Sequence, residues 1–95
     1  MFVVVLRFSV NKADAPNHME GHKAWISRGF ADGVFLMTGS LKPNAGGVVL
    51  AHNISRGDLE ARAKEDPFVA EDVVSAEIME ISPARVDQRL EFLMT

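Results

Sequence analysis

An α+β domain built on one antiparallel sheet follows from three features of the sequence. Strand-like and helix-like stretches alternate in the order βαββαβ. The strand-like stretches are apolar on both faces. Each main helical stretch stops at strong backbone punctuation, Gly33 after the first and Asp66-Pro67 after the second.

Phe2 to Phe8 is rich in β-branched and aromatic residues and reads as the first strand. Alternation sends Phe2, Val4, Leu6 and Phe8 one way and Val3, Val5 and Arg7 the other. Apart from Arg7 both sets are apolar, so both faces call for cover. Asn11 to Pro16 is turn chemistry, and a helix is predicted from about Asn17 to Asp32. Met19, His22, Ile26, Gly29 and Phe30 form its apolar stripe, with Trp25 beside them, which turns His22 toward the sheet.

Val34 to Thr38 reads as a second two-faced strand, ended by Gly39-Ser40. A loop through Lys42, Pro43 and Asn44 leads to the third strand, Gly46 to His52, so the pair reads as an antiparallel hairpin. Ser55 is a candidate N-cap for the second helix, with Asp58 at the capping-box position and Ile54 and Leu59 placed as a hydrophobic staple. That helix should end at Lys64 or Glu65. Asp72 to Ile81 reads as the fourth strand. Ser82-Pro83 then predicts a terminal helix over about residues 83–94, with Val86, Leu90 and Leu93 as a narrow stripe.

This order is the ferredoxin-like pattern with a four-stranded antiparallel sheet, in one domain spanning residues 1–95. A chain of this length buries only about 60–65% of its unfolded surface. Yet 47% of its residues are hydrophobic, and the terminal helix is too narrow to cover the sheet face that the main helices leave open. A homodimer with sheet packed on sheet is therefore expected. The net charge of −3, with scattered basic residues, argues against a nucleic-acid partner. No apolar run approaches membrane-span length, and the chain opens on a strand rather than a signal peptide. Cysteine is absent, so a cytoplasmic setting is the expectation.

The chemistry centres on His22 and Asp66-Pro67-Phe68. Asp before Pro is a common way to cap a short helical turn. A carboxylate can also hold one nitrogen of an imidazole, fix its tautomer and leave the other nitrogen for a ligand. In this topology the second helix packs beside the first, which makes a His22–Asp66 contact feasible. Arg7 is a candidate clamp for an anionic ligand, or a snorkelling side chain at the strand end. Gly39 and Ser40 are candidates for ligand contact at the end of their strand, Trp25 for an aromatic wall, and Phe68 for a further ligand contact. His18 and His22 have helical metal-ligand spacing, but Met19 stands where the zinc-protease motif has Glu, and a third ligand would have to come from His52 or a carboxylate. No metal is expected. Gly46-Gly47 sits in no strand–glycine–helix unit, so no dinucleotide is expected, and no cofactor is.

Four features in this order resemble the YciI-like (YCII-related) family: a short N-terminal strand, a helix bearing Gly21-His22-Lys23-Ala24-Trp25, the strand end Thr38-Gly39-Ser40, and the turn Asp66-Pro67-Phe68. The resemblance spans roughly residues 1–82. It implies a dimeric α+β barrel with a His–Asp active site, which falls on His22 and Asp66. Some members resemble lyases such as dehydrochlorinases of ring-cleavage pathways. Two functions follow as expectations. One is a small enzyme of lyase or isomerase type, acting on a small organic compound, anionic or cyclic. The other is a non-catalytic ligand-binding or assembly module in which the same pair braces a pocket. A cavity open beside His22 favours the first, and a sealed ring with both nitrogens bonded to protein favours the second.

Overall fold

The computed structural model describes residues 1–94. Four strands, β1 (Phe2–Phe8), β2 (Phe35–Leu41), β3 (Gly46–Ala51) and β4 (Val74–Glu80), form one antiparallel sheet in the order β2-β3-β1-β4. Three helices lie between them: α1 (Ala15–Ala31), α2 (Arg56–Glu65) and the single turn α3 (Pro67–Ala70). The ferredoxin-like expectation holds, with β2 and β3 as a hairpin and β1 inside the sheet between β3 and β4. No helix of the described residues is long and apolar enough to cross a membrane.

The register fixes what each face carries. Val4 pairs with Val49 and Ile78, and Phe2 with Ala51, so these residues share the face of the main core. There they pack with Leu6, Trp25, Phe35, Leu59, Phe68 and Val73. The start read from sequence for the second helix is in place, while α1 begins two residues earlier than expected, at Ala15. Ser55 accepts a hydrogen bond from the Asp58 amide, and the staple residues are buried (Leu59) or packed on the core (Ile54). Gly33 ends α1 at φ 74°.

Several elements depart from expectation. In α1 the deeply buried positions are Trp25 and Gly29, while Met19 and Phe30 are largely exposed. The helix is rotated so that Trp25 enters the core edge-on to Phe35, with ring centroids 5.0 Å apart, and its indole N–H donates to the Arg62 carbonyl at 2.9 Å. Gly29 makes this possible, because a Cβ there would stand 2.0 Å from Phe35 Cδ2. Strand β2 does not stop at Gly39. It runs on to Leu41, with Gly39 opposite Val48 and Ser40 opposite Gly47, so ladder pairing overrides the turn tendency of Gly-Ser. An irregularity between Phe35 and Met37 shifts the register, so Thr38 and Ser40 lie on the same face as Phe35.

The terminal helix is the largest difference. Residues 83–87 are irregular, and only Gln88–Met94 is helical, as 3-10 turns kinked at Leu90. The Asp87 carboxylate accepts from the Arg89 amide and side chain, so the segment starts at Asp87 rather than at Ser82-Pro83. A ring contact between Phe92 and His52 ties it to the end of β3.

The opposite sheet face carries Val3, Val5, Leu50, Met37, Met79 and Arg7. Val5 is only 5% exposed there, but Met37 and Met79 are 44% and 41% exposed.

Two glycine substitutions separate packing from helix propensity. Alanine gains up to about 1 kcal/mol over glycine inside a helix. At Gly57, where a Cβ meets nothing within 4 Å, Gly57→Ala should raise stability. At Gly29 the clash with a buried Phe35 ring outweighs that gain, and Gly29→Ala should lose about 1–3 kcal/mol. Urea denaturation should show the two changes with opposite signs.

Candidate active site

Asp66 closes α2 and opens α3. Pro67 holds it in extended conformation, at φ −66° and ψ 121°, and its side chain turns back over the next turn. Oδ1 accepts from the Phe68 amide at 3.0 Å and from His22 Nδ1 at 2.8 Å. The cap and the histidine partner are thus one oxygen, not one oxygen each. Asp66 is 0% exposed, and its Oδ2 is buried with no partner among the described residues.

Three constraints fix the His22 ring. Asp66 holds Nδ1. The Phe68 ring lies parallel to the imidazole, with centroids 4.0 Å apart and planes 3° apart. Gly21 lets α1 meet α3 closely, since a Cβ there would stand 2.9 Å from Pro67 Cγ. With a carboxylate as acceptor, Nδ1 carries the hydrogen and Nε2 the lone pair in the neutral ring. Nε2 has no partner among the described residues, and it is not among their sealed, unpaired polar atoms.

His22 borders a cavity of about 300 Å³ between the helices and the sheet. Met19 and Ile26 of α1, Phe68 of α3, Leu6 and Phe8 of β1, and Val49 of β3 give it apolar walls. Thr38, Gly39 and Ser40 of β2 form another side, across from Gly46 and Gly47 of β3. No Lys, Arg, Asp or Glu lines it.

The structure therefore brings His22, Asp66, Phe68, Gly39 and Ser40 together, and leaves two expected site residues elsewhere. Trp25 is sunk in the core and absent from the cavity lining; the aromatic wall is Phe68. Arg7 is exposed and projects from the other sheet face, because Leu6 and Phe8, its neighbours on either side, face the cavity. Thr38 is the lining residue that the sequence reading passed over as a ligand contact. Its spacing of two from Ser40 was the available signal, but the register shift before Met37 decides which face both occupy.

No family model matches the chain, and no curated protein matches its sequence. Among solved structures it is similar to the 5-chloro-2-hydroxyhydroquinone dehydrochlorinase TftG of Burkholderia phenoliruptrix AC1100, in complex with 2,5-dihydroxybenzoquinone. The TM-score is 0.68 at 13% identity, over 85% of this chain and 93% of that one. At that identity the likeness is one of fold. It matches the α+β fold with a four-stranded antiparallel sheet and singles out no family.

Asp66→Ala removes the acceptor from two donors at once and should cost about 1–3 kcal/mol. Asp66→Asn keeps an acceptor for the Phe68 amide and should cost less. Equilibrium unfolding checks the order; an alanine variant as stable as the parent would mean that these bonds do not hold α3 to α1.

Proposed function

We propose that the protein is a small acid–base enzyme of lyase or isomerase type, acting on a small cyclic organic compound, with His22 as the base and Asp66 as its positioning residue. The observation that carries this reading is the His22 ring itself. It is held at Nδ1 by a buried carboxylate, flat against Phe68, and unpaired at Nε2 beside a cavity of about 300 Å³. Such a ring can remove a proton from a bound compound at Nε2. It can then return that proton to another atom of the substrate (isomerisation) or to a departing group (elimination). Asp66 keeps Nδ1 protonated throughout and balances the imidazolium formed in between. General acid–base catalysis of this kind is worth roughly 10²–10⁴ in rate. The dehydrochlorinase activity and the ring-shaped ligand named for TftG support the same choice of reaction and substrate shape. The anionic half of the expectation rested on Arg7, which the fold carries to the other face, so the cyclic half goes forward. The module reading loses ground to the cavity, since it favoured a sealed His22.

The same proposal includes a homodimer joined through the outer sheet face. Met37 and Met79 remain exposed there beside Val3 and Leu50, and a second copy would cover them. An interface on the order of 2,000 Å² in total is expected.

Turnover is to be sought with cyclic ketones, quinols and lactones. His22→Ala should lower kcat/KM by roughly 10²–10⁴ while far-UV circular dichroism is unchanged; a fully active His22→Ala protein would end the reading. For the dimer, sedimentation equilibrium at micromolar concentration should give twice the chain mass, and Met79→Glu should shift it toward the monomer. A monomeric parent protein would refute the interface.

A further inference from the structure

The cavity is built for an uncharged ring bearing oxygen substituents, and we infer that the Thr38 and Ser40 hydroxyls recognise those oxygens. The inference rests on the reading of His22 as the base of this cavity and goes on to its specificity.

Charge is the first consideration. The walls hold no Lys or Arg, and the one cation expected there, Arg7, leaves from the opposite face. An anion entering a mostly apolar site gives up hydration that two hydroxyls return only in part and no Lys or Arg makes good. An uncharged compound meets no such penalty, and Leu6, Phe8, Ile26 and Phe68 offer apolar surface to a ring.

The polar groups come next. Apart from His22, the only side-chain hydrogen-bonding groups in the lining are the Thr38 and Ser40 hydroxyls. They lie two residues apart on one face of β2, roughly 7 Å between Cα atoms. Neither bonds to another group among the described residues, whereas the Ser55 hydroxyl accepts from the Asp58 amide. Gly47, opposite Ser40, has no side chain to cover it. A hydroxyl both donates and accepts, so the pair suits carbonyl or phenolic oxygens alike. His22 stands on the helix side of the same cavity. A ring held by its oxygens at β2 would thus present another of its atoms to Nε2.

The test uses the full chain and three probes of one ring size: 1,4-benzenediol, phenol and the anion 4-hydroxybenzoate. NMR titration gives each Kd and, from the His22 ring signals, the place of binding. Benzenediol should shift the His22 signals and bind about tenfold more tightly than phenol or 4-hydroxybenzoate, as one extra neutral hydrogen bond would give. Thr38→Val keeps the size of the side chain. That variant and Ser40→Ala should each weaken benzenediol about tenfold and leave the His22 shift at saturation in place. The inference is overturned if 4-hydroxybenzoate binds as tightly as benzenediol, if the double variant keeps the parent affinity, or if no probe binds. Failure of the hydroxyl variants with the His22 shift intact would remove this inference alone. Binding that leaves the His22 signals unmoved would count against His22 as the base as well.

Discussion

The two donors that converge on Asp66 Oδ1 come from separate parts of the chain, the His22 ring from α1 and the Phe68 amide from α3. A single carboxylate oxygen therefore starts one helix and aims a side chain of another. The coupling explains the shape of the region. Pro67 sets the backbone so that Asp66 can cap, capping sets Phe68 over the imidazole, and Gly21 admits Pro67 against α1. The arrangement has a cost, because Oδ2 is buried without a partner, and a buried unsatisfied group costs about 1–3 kcal/mol. Groups kept in such unfavourable surroundings beside a cavity concentrate at functional sites, although structural pairs occur too. The open side of His22 weights the first case here.

The sheet supplies the rest of the cavity through what it lacks. Gly47 removes a side chain from β3 opposite Ser40, on the face that lines the cavity. The register shift after Phe35 then turns two hydroxyls toward the space so formed. Phe35 itself stays inward, where Gly29 receives its ring. Closure of the core and opening of the cavity are thus set by the same short stretch of β2.

The order of elements was readable from periodicity and caps because each signal is local: Ser55 three residues before Asp58, Gly33 after the last turn of α1, Asp66 before Pro67. The His22–Asp66 contact was readable for a different reason, since βαββαβ topology puts the two helices side by side. What escaped depends on tertiary context. A stripe at helical spacing does not say whether Trp25 or Met19 leads into the core; the space beside Gly29 and Phe35 does. Strict alternation cannot place Thr38 across a register shift. The cap grammar of Ser82-Pro83 starts no helix: residues 83–87 are irregular, and Asp87 starts the turn instead. Arg7 has the sign that an anion clamp needs but not the face, since alternation with Leu6 and Phe8 sets it on the other side of the sheet.

The most direct test of the account is the tautomer of His22 in the ligand-free protein, read from ring ¹⁵N shifts by long-range proton correlation once the imidazole is neutral. The account requires the hydrogen on Nδ1, shared with Asp66, and a bare Nε2 facing the cavity. A ring that carries its hydrogen on Nε2 would set a lone pair against the Asp66 carboxylate and contradict the account at its centre.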